Sequence, residues 1–542
     1  MDRIDPLEDD SHLTHHGPGH APALWLALPL LTGCLAATSL DTTHGGTLLV
    51  GSVALIGALV AAGRSVTIWI VCAALAGAAL GATWHGVRAA RMAPWGGERG
   101  QADLFVEVDR VESLDGERWR LIGWVQTGPP DTRRRRVLCD GRGARPGPGG
   151  VQVISGLLAP CGDPAEPRGD WLRSQGISLR LGAARLAAEI EPAGTWARLT
   201  DDWSHKLESG LRELAWEDPR GARLLAATML GRTRLLDESD REAFATTGTL
   251  HLFAISGLHI AGMALAMTWV GRRCRVPPRI AGSVALVLLW VYVEVTGGAP
   301  SARRAWIMAA CILACTLARR RPNPIQGLAT ACVVTLVLDP EAATDAGFQL
   351  SYASVAGILL VGGPAARALA RPALAERLSP TDAITRSRRI RAWLRARLLE
   401  GFAISLAAST AATAITLGTF GTLCPGGVLA NLLLVPLSGP PVVLGMASIT
   451  LGLFGWLDPL RQGVNTLAAG WLHGMAQVAE WLACIPGMTL PAYWREPLVG
   501  TVTTSAVLLT MLLQPQKPAG GRLLAVPLLV LLAGLVLGAS LG

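Results

Sequence analysis

The sequence predicts a polytopic α-helical membrane protein carrying an inserted β-barrel domain outside the cytoplasm, and three observations predict it. Apolar residues make up 51% of the 542 positions and charged residues only 16%, a balance that cannot cover a water-exposed surface. Stretches such as Ala23–Leu40, Thr47–Ala62 and Ile280–Val295 contain no Lys, Arg or Asp, and Glu294 is their one acid. At 1.5 Å per residue such stretches approach the roughly 30 Å depth of a hydrocarbon core. One long segment, 101–192, abandons that pattern for short alternating runs bounded by Gly, Pro and Asp.

The elements follow in order. Residues 1–20 are polar, and His12, His15, His16 and His20 read either as a metal-binding tract or as a solvated cytoplasmic tail. Spans near 22–40, 46–62 and 66–87 complete a first module, 1–100. In 101–192, Leu104–Val108, Trp119–Val125 and Val151–Leu157 alternate as strands do. Such short strands suit a five-stranded OB-like barrel, although a sandwich reads similarly. OB barrels hold single-stranded nucleic acid on stacked aromatics beside a basic groove. Trp119, Trp124, Arg133 and Arg134 are the candidate contacts here. The alternative is that the aromatics are core and the arginines a solvated turn. Over 193–245, Trp196, Leu199, Trp203, Leu207 and Leu211 recur at helical spacing beside Arg and Glu, as in helices lying on a membrane face. The remainder, 246–542, is apolar almost throughout, with spans or part-spans near 250–270, 280–297, 304–318, 325–338, 347–364, 400–419, 426–437, 440–456, 464–484, 498–513 and 523–541.

Charge gives orientation rather than a ligand. The net charge is +8, and membrane proteins gather Lys and Arg in short cytoplasmic loops. Arg272–Arg279, Arg319–Arg321 and Arg367–Arg397 all fall inside if the N-terminus is cytoplasmic, which places 101–192 and the acidic turn Asp339–Asp345 outside. Keeping Arg461, Lys517 and Arg522 inside requires 426–437 to be re-entrant or paired with 440–456. The ten cysteines form no CxxC or metal-type spacing. Cys139 and Cys161 fall in the polar segment, and a disulfide between them is possible in an oxidising compartment.

The most informative string is GRTRLLDESDREAFATTGTLHLFAISGLHIAG, residues 231–262. Ser256-Gly257 interrupts an apolar helix, and His251 and His259 flank the break. Broken helices and ionisable groups persist at membrane depth where they line a cavity or pack inside protein. Further blocks follow: Tyr292, Gly297, Ser301, Arg304 and Ala305; Asp339-Pro340 with Gly347–Ser351; Asn431–Leu433 with Pro436. In this order the blocks resemble the competence domain of the ComEC family, whose hallmark is a tGt-H-l-AiSGLH segment, and 101–192 resembles that family's OB-like N-terminal domain. The resemblance implies a channel that imports single-stranded DNA across the cytoplasmic membrane during natural transformation. It implies His251, Ser256, Gly257, His259, Arg304, Gln349, Ser351 and Asn431 as candidates for the pathway.

Two departures from the family pattern shape the expectations. The helix ending near Phe420 lacks a Pro that members usually carry. The chain also lacks the HxHxDH cluster with which a metallo-β-lactamase-like domain holds two metals, so that C-terminal domain is expected to be missing. No Walker string is present. A conduit rather than an enzyme is therefore expected, without metal or cofactor. Its expected partners are single-stranded DNA, membrane lipid, a separate ATP-driven motor, a DNA receptor and a separate nuclease. Against this stand a Ser256–His259 hydrolase, for which no oxyanion hole or orienting partner is identifiable, and a transporter of another anionic substrate. Glu294 is expected to pair with Arg303 or Arg304.

Overall fold

The computed structural model describes residues 23–39, 54, 66–91, 95–115, 118–161, 172, 176–213, 218–255, 257–319, 322–378, 386–452, 455–514 and 522–541. The His-bearing tail, the span expected near 46–62 apart from Ala54, and Arg320, Arg321, Lys517 and Ser256 lie outside the described residues.

Two apolar helices, α1 (Leu24–Ser39) and α2 (Val66–Arg91), pair closely because small residues let their backbones touch. A methyl group at Gly33 would lie 1.9 Å from the Ala78 carbonyl oxygen, and one at Gly81 would lie 2.3 Å from that of Leu30. Cys34 packs into the same seam, with its thiol donating to the Gly81 carbonyl at 3.5 Å.

The polar segment folds into β1 (Gly100–Asp115), β2 (Arg118–Thr127), β3 (Arg136–Arg142), β4 (Val151–Pro160) and β5 (Ile177–Glu191), which close a barrel in the order β1-β2-β3-β5-β4. Only β3 and β5 run parallel. The long β1 pairs with β4 along its first half and with β2 along its second, bending at register shifts such as Phe105/Val106. Alternation sends Leu104, Val106, Trp119, Leu121, Val137, Cys139, Ile154 and Leu181 inward. Trp119 fits because Gly141 has no side chain, where a methyl would sit 2.2 Å from the indole ring.

This packing corrects two expectations. Trp119 is 1% exposed, so it builds the core and offers no stacking face. Cys139 and Cys161 are not bridged. Successive strand residues face opposite sides: Leu138 points outward to join Cys161, Ile122, Leu172 and Ile177, while Cys139 points into the barrel. Burial, with Asp140 beside it, pushes the Cys139 thiol pKa up.

Beyond the barrel come α3 (Thr195–Glu213) and α4 (Pro219–Leu230). On α3 the first part of the expected apolar stripe is exposed, with Trp196 at 48%, Leu199 at 51% and Trp203 at 48%, but Leu207 is half-buried and Leu211 is fully buried in the core. α4 does not lie on a surface. Leu224, Leu225, Ala226, Ala227 and Met229 are fully buried in the largest core cluster, against Ala430, Leu472, Met475 and Ala476.

The helical body continues with α5 (Glu238–Thr246), α6 (Gly257–Arg273), α7 (Pro278–Val295), α8 (Pro300–Leu317) and α9 (Pro324–Leu338). It proceeds through α10 (Ala346–Gly357), a π turn, α11 (Gly363–Leu378) and α12 (Arg386–Phe420), then α13 (Gly427–Leu451), α14 (Asp458–Ala483), α15 (Pro497–Leu513) and α16 (Arg522–Gly538). Among the described residues, four helices are long and apolar enough to cross a bilayer: Pro278–Val295, Ala346–Pro372, Ser387–Phe420 and Gly427–Leu451. On the first of these, Ile280, Val284, Val287 and Leu288 are exposed apolar side chains of the kind lipid accepts.

α13 replaces the two half-spans expected at 426–437 and 440–456. One helix runs through Pro436, Pro440 and Pro441 without interruption, since inside a helix bundle neighbours can take up the backbone groups that proline frees. Arg461 is also not the solvated loop charge the orientation argument assumed. Its side chain is 12% exposed and is bonded to Ser448 at 3.4 Å. It lies against Gly210 and Gly452, where a methyl group would come within 2.1 and 2.9 Å of it. A sheet of β6 (Thr422–Leu423), β7 (Leu490–Trp494) and β8 (Ala539–Leu541) ties three distant chain segments together.

Candidate functional site

The broken segment is longer than the Ser256-Gly257 pair suggested. α5 ends at Thr246, and the chain turns at Gly248, whose φ is +69°. Gly suits that left-handed position because it has no Cβ to clash. The hydroxyls of Thr247 and Thr249, both fully buried, meet at 2.7 Å and hold the turn. A single 3-10 turn, Leu250–Phe253, follows, and Ala254 is extended at φ −82°, ψ 140°. Helix resumes only at Gly257, the start of α6. Phe253 is locked edge-on against Phe244 of α5, with ring centroids 4.7 Å apart. Leu252, Phe253 and Ile255 are buried, so the apolar side chains of this non-helical segment pack into protein.

The two histidines flank the break in different surroundings. His251 sits with Nδ1 3.2 Å from the Gly248 carbonyl, so that the proton belongs on Nδ1. Its side chain is exposed. His259 is 2% exposed, beside Ile260 and Met263 of α6. Gly257, at the first position of α6, is exposed and would accept a methyl without contact.

Arg304, Gln349 and Ser351 belong to a second corner, where the start of α8 meets the start of α10. Arg304 is 5% exposed. It donates from Nη2 to the Gly347 carbonyl at 2.9 Å and stacks over Phe348 and Tyr352 at 5.9 and 5.7 Å. Part of its fork is thereby committed to protein, while Nε has no partner among the described residues. Gln349 donates to the Ala343 carbonyl at 2.8 Å, and Ser351 is half-buried one turn into the helix. Glu294 pairs with Arg303 rather than Arg304, at 3.4 Å. Asn431, on α13, is half-buried, and its Oδ1 is shut off from solvent without a partner among the described residues. The apolar cluster of Ile255, Ile260, Tyr292, Val293 and Ala302 joins the break to α7 and α8, and α6 also touches α13. The candidates therefore sit on adjoining elements rather than in one pocket.

On the barrel, Arg133 and Arg134 are exposed in the β2–β3 turn, where the Arg134 amide donates to the Val125 carbonyl at 2.7 Å. Trp124 is half-buried under Arg136, whose guanidinium is 5.7 Å from the ring. Arg110 and Arg145 help tie the barrel to the helices. Arg110 donates to the Gly297 carbonyl at 3.1 Å, and Arg145 donates to Asp201 of α3 at 3.2 Å.

Sequence reasoning missed the ionic tie of Arg220 with Asp240 and Glu480, which joins α4, α5 and α14. Asp240 is 2% exposed, yet nothing in the run DESDRE marks it apart from its acidic neighbours. The bond from the Tyr292 hydroxyl to the Met229 carbonyl fastens α7 to α4 and accounts for the tyrosine in that motif.

The family described as "Competence protein" matches residues 228–517, more than half of the chain, including the break, the Arg304 corner and Asn431. Over 142 residues the chain is 30% identical to ComE operon protein 3 of Bacillus subtilis (strain 168). That stretch covers 26% of this chain and 18% of the relative, well under two thirds of its length. No solved structure matches. The match takes in more than half of the chain, the break included, and on that ground the chain belongs to the competence protein family.

Proposed function

We propose that this protein is a conduit for single-stranded DNA across the cytoplasmic membrane during natural transformation. The observation that carries the proposal is the broken segment inside the family-matched region: non-helical backbone packed through Leu252, Phe253 and Ile255, with the exposed His251 and the buried His259 on either side of the break. Interrupted helices and ionisable groups of this kind line hydrated routes, which passage of a polyanion through a low-dielectric slab requires. The relative named for the ComE operon adds support from outside the structure.

In this reading the barrel is an OB-type module, a reading supported by its five strands and their order, and it lies outside the cytoplasm with the N-terminus inside. The barrel contacts Gly297, at the end of α7 that charge patterning puts outside, which favours that arrangement. Force for transport comes from a separate ATP-driven motor, DNA is delivered by a separate receptor, and any degradation of the partner strand belongs to another protein. His251, His259, Arg304, Gln349 and Asn431 frame the pathway, and the protein itself makes or breaks no bond.

A deletion strain tests this. Loss of transformation is expected, with recovery on supplying the gene and no recovery with His259→Ala or Arg304→Ala at equal membrane abundance. Undiminished transformation in the deletion strain overturns the proposal.

A further inference from the structure

α3 has two opposed faces, and each meets something different. Trp196, Leu199 and Trp203, at i, i+3 and i+7, form the exposed apolar stripe. Asp201, His205, Glu208 and Arg212, at i, i+4, i+7 and i+11, lie about half a turn round the helix from it. That polar face walls an open cleft of about 570 Å³ between α3 and α4, lined by His205, Glu208, Ser209, Arg212, Pro219 and Arg223. Arg145 of the barrel reaches its edge, bonding to both His205 and Asp201. The cleft is thus the junction of barrel and helical body.

Its charge is unbalanced. Arg145, Arg212, Arg223 and Arg232 face the carboxylates of Asp201, Glu208 and Asp237, leaving one guanidinium in excess. Glu208 is held mainly by Arg232, so its contact with Arg212 is long, at 3.5 Å. Arg223 bonds to Asp237, whose side chain is 50% exposed, and its Nε has no partner among the described residues. The Arg212 guanidinium, itself half-exposed, has only a long contact with Glu208, and the carboxylate that holds Arg223 is half-exposed, so a phosphate can compete for both guanidinium groups.

We propose that this cleft receives the phosphodiester backbone of the strand as it leaves the barrel, with Arg212 and Arg223 as phosphate contacts. This rests on the proposed passage of DNA and adds to it a place and two residues. The cleft faces away from the apolar stripe, which favours a strand in water over a lipid headgroup as its occupant.

The test uses the full chain in detergent and a fluorescent single-stranded thymidine oligonucleotide, with affinity measured across a range of salt. Each phosphate contact on a single strand contributes about 0.7 to the slope of log affinity against log salt. The paired change Arg212→Gln with Arg223→Gln should lower that slope by about 1.4, Arg223→Gln alone by about 0.7, and the paired Lys variant should keep it. An unchanged slope in the Gln variants, with normal binding by the native chain, overturns the cleft proposal and leaves the conduit standing. Absence of binding by the native chain removes both. Loss of binding to vesicles of anionic lipid, with strand binding intact, would make the cleft a headgroup site and overturn the proposal as well.

Discussion

Single side chains in the barrel show how one alternation decides two fates. A strand cannot send neighbours to the same face, so Leu138 outward forces Cys139 inward, and the bridge to Cys161 that their shared segment suggested does not form. Composition put both cysteines in the polar domain, but only the register of β3 separates them. Maleimide should therefore label the exposed Cys274 and Cys484 in the folded protein and spare the buried Cys139 and Cys161. All four should react on unfolding without reductant. Resistance of Cys139 and Cys161 until reductant is added would reveal a disulfide and contradict the packing described. Trp119 carries the same lesson. Aromatic residues in a small barrel are legible as aromatic, but whether they stack on a ligand or fill the centre depends on strand phase, and Gly141 opposite Trp119 was the unread clue.

At the scale of elements, the sequence announced its apolar helices and three of the five barrel strands, because hydrophobic periodicity and turn residues are local signals, while β3 and β5 went unread. Helix continuity was less legible. Pro436, Pro440 and Pro441 read as a break, yet α13 passes through them, since tertiary packing can override a local breaker. Conversely, the helix break is wider than Ser256-Gly257 alone and takes in 247–255, because the buried Thr247–Thr249 pair and the Phe244–Phe253 contact hold a turn that periodicity cannot see. The α1–α2 seam makes a clear prediction. Gly81→Leu would drive a side chain into the Leu30 carbonyl, separating the two helices. Paired cysteines placed across the seam should then crosslink in the native chain and fail to do so in this variant. Retained crosslinking would show that the seam tolerates bulk.

Across the whole molecule, what holds the parts together was mostly invisible in the sequence, because the partners lie far apart along the chain. Arg220 meets Glu480 across 260 positions, and Arg110 meets Gly297 across 187. Removing one member of a buried ion pair leaves the other uncompensated and commonly costs about 3–5 kcal/mol. Asp240→Ala should accordingly lower the thermal midpoint of the purified protein, and adding Arg220→Ala should restore part of the loss. Additive losses would mean that the two side chains do not act as a pair. The candidate pathway residues were each legible as motif positions, but their distribution over two neighbouring corners, and the commitment of Arg304 to Gly347, Phe348 and Tyr352, came only from the fold.

The account depends on one route through the protein past the break. Its most direct test places a photo-crosslinking residue at position 251, with a second variant at the outward-facing Val287, and exposes competent cells to labelled DNA. A covalent adduct with single-stranded DNA at position 251 and none at Val287 is the predicted result. Normal DNA import without an adduct at position 251 would contradict it.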